Sequence, residues 1–229
     1  MLIPEQYVEH MNLNERIQHG VMAVTFTLLA ITGFLVFLPE KYVGFIGSGA
    51  EAFFQWRRNL HRISGVLIAL AGVYNIVYLC FTERGRWLLR ELLPHRQDLT
   101  DLRQIMRYYL NPDQPPPQFG WYNYVEKVEY WALVWGIAVM SITGFLLWFE
   151  VQFSKLLLDI ATIIHRYEAI LAVLAIVVWH FYHVYWKPEI FPMNPVWLTG
   201  RISTEELRHR YPLAYHAMME KLFKESDES

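Results

Sequence analysis

Five histidines lie in or at the ends of long apolar stretches, and their types and spacing are where chemistry could reside. His19 opens the first stretch, His61 the second and His165 the fourth, while His180 and His183 lie near the far end of the fourth. A titratable ring in hydrocarbon is expensive, and it is usually kept there for function. With successive helices running in opposite directions, two levels emerge. His61 and His165 share one, and His19 shares the other with His180 or His183. Imidazoles facing one another across a helical bundle are the axial ligands that haem iron takes. One such histidine can simply bond a carbonyl or a lipid headgroup. Four at two matched depths point instead to two haems stacked across a membrane.

The fourth stretch would serve both cofactors, so its spacing matters. His165 and His180 are 15 residues apart, a rise of ~22 Å with an angular offset of ~60° on an ideal helix. His183 lies 18 residues on, at ~27 Å and with no offset. Angle favours His183. Depth favours His180, because ~27 Å would push both irons to the edges of a ~30 Å hydrocarbon core. Electron tunnelling weakens steeply with separation, so His180 is the expected ligand, with His183 left to bond a haem propionate or a quinone.

Glycines and arginines flank these positions. Gly33 and Gly144 each follow a threonine in the recurring phrases I-T-G-F-L-V-F (Ile31–Phe37) and I-T-G-F-L-L-W-F (Ile142–Phe149). A flat macrocycle needs helix surface without side chains beside it, which glycine supplies. Gly65 and Gly72 serve haem contact or close helix packing equally well. Arg62 and Arg166 each follow an outer-level histidine, where they either pair with haem propionates or snorkel to the interface. The repeat of His-Arg and of T-G-F-L reads as a duplicated two-helix hairpin.

The elements that must position these residues are legible from hydropathy. The chain has 229 residues, 54% of them hydrophobic. Its charges are absent from Val21–Pro39, Ile63–Thr82, Trp131–Phe149 and Ala169–Trp186. Each run is close to the ~20 residues that cross a bilayer. The expected fold is an all-α integral membrane four-helix bundle, with helices over about 17–38, 61–81, 128–149 and 160–186 in a membrane domain of residues 1–186. Residues 187–229 form a tail. The N-terminal Met1–Arg16 has three glutamates and one arginine, without the basic region of a signal peptide, so the first apolar run is read as a retained helix. The single cysteine, Cys80, excludes an intrachain disulfide and covalent haem attachment through C-x-x-C-H. Any haem is therefore non-covalent, of the b type. No basic patch interleaved with aromatics points to nucleic acid.

Lysines and arginines set the sidedness. Fourteen lie in the N-terminal tail, the loop between helices two and three and the C-terminal tail, against six (Lys41, Arg57, Arg58, Arg62, Lys155 and Arg166) on the other side. Both termini are expected to be cytoplasmic. The inner loop Glu83–Glu129 contains an amphipathic stretch, Asp98–Leu110, with Leu102, Ile105, Met106 and Tyr109 at helical spacing. It reads as a helix lying on the membrane surface, ended by N-P-D-Q-P-P-P at Asn111–Pro117. The tail opens with an extended, proline-punctuated K-P-E-I-F-P-M-N-P and continues as a short polar helix from about Thr204, capped by Ser203 or Thr204.

These residues together resemble the di-haem cytochrome b membrane subunits of respiratory formate dehydrogenases, nickel–iron hydrogenases and thiosulfate reductases. The resemblance covers roughly Glu15–Trp186. It is carried by R-I-Q-H (Arg16–His19), the T-G pairs, His61 and H-F-Y-H-V-Y-W (His180–Trp186). That last phrase resembles the ending of helix four in the family and strengthens the choice of His180. The resemblance implies electron transfer through two b haems between an outer-face partner and membrane quinone, in the cytoplasmic membrane of a bacterium or archaeon. It also assigns Asn123, in Y-N-Y-V-E-K (Tyr122–Lys127), to the quinone near the inner haem. Val125 and Glu126 stand where the family shows glycine and glutamine. After Trp186 the tail is more similar to cytochrome b subunits found beside multihaem c cytochromes, so the outer partner is an iron–sulfur protein or a multihaem cytochrome c. Electrons could run in either direction, and Glu126, Lys127 and His183 stand where cytoplasmic water could supply protons. Two rivals are a stand-alone transmembrane reductase of an outer-face metal ion or small molecule, and a non-redox anchor or transporter. The short outer loops, with no dense ligand cluster, disfavour the first rival.

Overall fold

The structure, a computed structural model, describes residues 7–37, 49–111 and 113–227. In chain order come strand β1 (Tyr7–Glu9), α1 (Leu13–Phe34) with a 3₁₀ turn over Leu35–Phe37, and α2 (Gly49–Phe81). Then follow α3 (Glu83–Leu92), α4 (Arg96–Leu110), α5 (Tyr124–Trp148) and α6 (Lys155–Leu174). Wide π turns over Ala175–His180 and Tyr182–Trp186 prolong α6. The chain ends with α7 (Val196–Thr199), β2 (Arg201–Ser203), α8 (Thr204–Arg210) and α9 (Pro212–Asp227).

Among the described residues, four helices are long and apolar enough to cross a membrane: Leu13–Phe37, Gly49–Phe81, Tyr124–Trp148 and Lys155–Trp186. This is an all-α integral membrane architecture. Each span starts earlier than hydropathy indicates. The second starts at Gly49 and not near residue 61, because Glu51–Leu60 carries three charges, Glu51, Arg57 and Arg58, yet is helix-forming. Within it the Gln55 amide donates to Asn59 at 3.0 Å, and Arg58 donates to Gln55 at 2.5 Å. The fourth starts at Lys155 and not near 160, with the Ser154 hydroxyl accepting from the Leu157 amide at 3.4 Å. His61 and His165 therefore sit inside their helices and do not open them. The outer-loop residue Lys41 and the expected end of helix one at residue 38 lie outside the described residues.

The chain forms two compact units. The first combines Asn14–Val77 with Ala132–Asn194 and contains most of the spans. Its burial is inverted relative to a water-soluble core: Thr25, Thr32, Ser64, Thr143 and Ala161 are buried, whereas Val24, Leu70, Val73, Trp135, Ile142 and Leu171 are exposed. Small and hydroxylated residues let helices approach while large apolar ones face lipid. Gly72 shows the closeness, since a Cβ there would lie 3.1 Å from Ile137 of α5. At Gly65 the nearest atom is on Leu29, at 4.0 Å. Gly72 thus serves helix packing, whereas Gly65 has room for a methyl group.

The second unit joins the N-terminal residues through Leu13, Tyr78–Trp131 and the chain from Pro195 on. The residues after Pro195 are thus not a separate tail. Strand β2 pairs antiparallel with β1, Val8 opposite Ile202. Val196, Ile202, Leu207, Tyr211 and Ala214 form a core against Val8, Met11, Phe119 and Trp121. Gly200, at φ 78°, adopts the left-handed conformation that ends α7. Its carbonyl accepts from the amides of His10 and Met11 at 2.8 and 3.0 Å. Helix α3, unexpected from the sequence, starts from a Thr82 cap (Gly85 amide to the hydroxyl, 2.9 Å) and buries Leu88 and Leu92 against Tyr78 and Leu79. Ser203 caps α8 by accepting from the Glu206 amide at 3.1 Å. The segment after Lys187 is folded into turns and not extended, with Ile190 and Phe191 donating to the Lys187 carbonyl at 2.9 and 3.0 Å.

Candidate haem-binding site

The two histidine pairs both fall within the first unit. The His61 and His165 ring centroids are 6.4 Å apart with planes at 67°. The His19 and His180 rings are 6.5 Å apart at 43°. One metal ion held between two imidazole nitrogens at about 2 Å each separates the ring centroids by roughly 6 Å. Both pairs have that spacing.

Tautomer is set at the first pair by threonine. The Thr32 hydroxyl donates to the Leu28 carbonyl at 2.6 Å and lies 2.8 Å from Nδ1 of His61. The Thr143 hydroxyl donates to the Val139 carbonyl at 2.7 Å and lies 2.8 Å from Nδ1 of His165. A hydroxyl has one proton, here given to the helix backbone, so it can only accept from the ring. Each Nδ1 therefore carries hydrogen, and each Nε2 presents its lone pair. That is the ligating tautomer, fixed by the bond made at the other nitrogen.

The neighbouring glycines complete the arrangement. A Cβ on Gly33 would meet Cε1 of His61 at 3.5 Å, and one on Gly144 would meet Cε1 of His165 at 3.3 Å. Thus the T-G pair acts as one device: threonine takes Nδ1, and glycine leaves room for the ring edge next to Nε2. This device appears on α1 for His61 and on α5 for His165. The donor set, spacing and glycine cradle fit a b haem. Sequence reasoning marked the glycines but passed over Thr32 and Thr143, although they stand in the same repeated phrase.

At the other level, the π turns decide which histidine meets His19. A wide turn adds about one residue and sets everything downstream back by roughly 100°. His183 thereby loses its angular match with His165. Its Nδ1 donates to the Trp179 carbonyl at 2.9 Å, and its ring packs 5.0 Å from the Trp179 ring. His180 is the residue facing His19.

The remaining predicted residues divide. Arg62 is exposed and stacks 5.1 Å over the Trp148 ring, and Arg166 is also exposed. Arg57, one turn before His61 and overlooked in the sequence, donates to the Thr32 carbonyl at 3.2 Å. In the second unit Asn123 and Glu126 form a reciprocal cap at the start of α5. The Glu126 amide donates to Oδ1 of Asn123 at 3.0 Å, and the Asn123 amide donates to Glu126 at 2.9 Å. The Tyr211 hydroxyl also donates to Glu126. Burial first, and then the Glu126 carboxylate, push the Tyr211 phenol well above its ordinary range. Lys127 is held by Asp98 at 2.9 Å, with side chains only 10% and 17% exposed. It ties α4 to α5.

Comparison with known proteins identifies the family. The profile of the prokaryotic cytochrome b561 family matches residues 10–193. The cytochrome b556 subunit of the nitrate-inducible formate dehydrogenase of Escherichia coli is 24% identical over 219 residues, covering 93% of each chain. A second Escherichia coli formate dehydrogenase subunit, cytochrome b556(fdo), is 25% identical over 190 residues, covering 81% of this chain and 83% of its own. The cytochrome b556 subunit of a Haemophilus influenzae formate dehydrogenase is 24% identical over 192 residues, covering 81% and 74%. With a family match across most of its length and four spans, the chain is a multi-pass prokaryotic membrane cytochrome of electron transport, and it belongs to the prokaryotic cytochrome b561 family.

Proposed function

We propose that the chain is the membrane cytochrome b subunit of a quinone-linked oxidoreductase complex. In this reading it binds two b haems, one between His61 and His165 and one between His19 and His180, in the cytoplasmic membrane with both termini inside. Two facing imidazole pairs within one four-helix unit, at 6.4 and 6.5 Å, carry the reading. When bound, the haems supply the one-electron redox couple that no side chain here provides. The chain's own residues orient the ligands, exclude water and dock the partners.

Electrons enter at the His61–His165 level from an outer-face subunit, an iron–sulfur protein or a multihaem cytochrome c. They leave at the His19–His180 level for membrane quinone. The relatives named as formate dehydrogenase subunits support a partner of this kind. Gly33 and Gly144 face the outer haem, and Arg62, Arg166 and the nearer Arg57 are the cations available to its propionates. His183 serves the inner haem or the quinone. Asn123 uses its side-chain oxygen in the helix cap, which leaves its amide nitrogen as a donor to a quinone carbonyl. Helix α4 lies on the inner membrane surface: Leu99, Leu102, Met106, Tyr109 and Leu110 are all exposed, an apolar stripe that suits the headgroup boundary.

The test is a haem count with dithionite-reduced minus oxidised spectra on the protein purified with its co-purifying subunits. Two b haems per chain and a redox-active outer subunit are expected. Absence of a b-haem signal would overturn the reading, and haem without any partner would favour a stand-alone reductase.

A further inference from the structure

Helix α4 carries two acids and three arginines, and they lie on different faces. Asp98 is held by Lys127, in the first turn of the spanning helix α5, at 2.9 Å. One turn further along α5, the Trp131 indole donates to the Leu92 carbonyl just before α4, at 2.8 Å. Within the second unit, α4 is thus strapped to the end of a span. Asp101 is buried and accepts from Gln97 at 2.7 Å. Arg103 and Arg107 follow Arg96 by seven and eleven residues, which places the three within about 40° of one another on an ideal helix and roughly 150° from the two acids. The exposed apolar stripe of Leu99, Leu102, Met106, Tyr109 and Leu110 is centred roughly 90° from the arginines. All three arginines are exposed, and none has an ion pair among the described residues. One edge of the helix therefore presents unshared positive charge.

We propose that the Arg96–Arg103–Arg107 edge binds the phosphates of anionic phospholipids and holds α4 down on a surface that contains them. The proposal rests on the reading above that α4 lies on the membrane. With the apolar stripe turned into the acyl chains and the acids turned toward α5, the arginines project sideways, level with the headgroups. A guanidinium meets a phosphate with paired N–H donors, and its aliphatic stem covers apolar surface on the way. A zwitterionic headgroup carries its own cation beside the phosphate, so the gain is confined to lipid with net negative charge. Each arginine near such a surface strengthens attachment about fivefold. An acidic protein would engage the arginines too, but the apolar stripe beside them and the tie to a span favour lipid.

The experiment uses the full haem-loaded chain in nanodiscs of phosphatidylcholine alone or mixed with phosphatidylglycerol. Cys80 is the single cysteine, so Cys80→Ser with Met106→Cys places one polarity-sensitive fluorophore on the apolar stripe. Its emission is expected to shift to the blue when phosphatidylglycerol is added, and back at high salt. Arg103→Gln with Arg107→Gln should abolish the shift and leave the haem count unchanged. Lysine at both positions should retain it, because the charge remains. A blue shift that survives the double glutamine variant would overturn the arginine site. So would emission blind to phosphatidylglycerol in the parent protein, the result for an edge reserved for an acidic protein. If that blind emission is apolar, the stripe alone holds α4 on the membrane; if it is water-like, the underlying reading of α4 falls as well.

Discussion

The Thr32 hydroxyl sits 2.8 Å from Nδ1 of His61, with its own proton committed to the Leu28 carbonyl. Because the pair Thr143–His165 repeats it at 2.8 Å, both outer-level imidazoles are held in one tautomer before any metal arrives. Replacing Thr32 or Thr143 with valine keeps the shape and removes the acceptor. Haem retention at the outer level should weaken by roughly tenfold, the low end for loss of a ligand-orienting partner. The outer haem's midpoint potential should also shift. Serine should restore both. Haem release by competition with apomyoglobin, and a redox titration, measure the effects; a valine variant indistinguishable from wild type would remove the orienting role.

Space beside the rings gives a second prediction. A Cβ on Gly144 would stand 3.3 Å from Cε1 of His165, so Gly144→Val must displace the ring, an overpacking worth about 1–3 kcal/mol. The outer haem signal should be lost or broadened, with the inner one unaffected. Gly65→Ala, 4.0 Å from its nearest neighbour, should change neither spectrum. Reduced-minus-oxidised spectra of the two variants compare them directly.

The Lys127–Asp98 pair concerns stability rather than chemistry. With both side chains largely buried, Lys127→Met leaves a carboxylate without its cation and should destabilise the second unit by about 2 kcal/mol, below the full cost for a completely buried pair. Adding Asp98→Asn should recover most of that loss, because no uncompensated charge remains while a side-chain oxygen still accepts from the His95 amide. Denaturant unfolding followed by tryptophan fluorescence provides the measurement, and a double variant no more stable than the single would contradict it.

Alkaline pH should loosen the same unit. Tyr211 is buried and donates to the Glu126 carboxylate, so its folded pKa lies above that of an unfolded tyrosine. Below about pH 10 both states keep the proton and the stabilisation is complete. As pH rises past the unfolded value toward the folded one, the unfolded chain ionises first and stability falls. Tyr211→Phe should flatten that alkaline decline while lowering stability at neutral pH. A pH series of unfolding midpoints for both proteins tests the sign.

Much of this was readable from residue order. Uncharged runs located the four spans, and alternating helix direction paired the histidines by depth. Sequence periodicity missed the charge-bearing first turns of α2, because hydropathy finds only the uncharged part of a helix. Angle alone pointed to His183 and only depth to His180, since the π turns alter the register that ideal geometry assumes. The roles of Thr32 and Thr143 were hidden because a threonine bonding back to its own helix looks the same in sequence as one that also receives a ring N–H. The β1–β2 ribbon joins Tyr7 to Ser203, three-residue strands too short and too distant to announce themselves.

The central claim is that iron is held between facing imidazoles at two levels. Haem stoichiometry in single alanine variants tests it most directly. His61→Ala, His165→Ala, His19→Ala and His180→Ala should each lower the count from two to one, and His183→Ala should leave it at two. A count that stays at two in His61→Ala and His165→Ala, or that falls only in His183→Ala, would contradict the account.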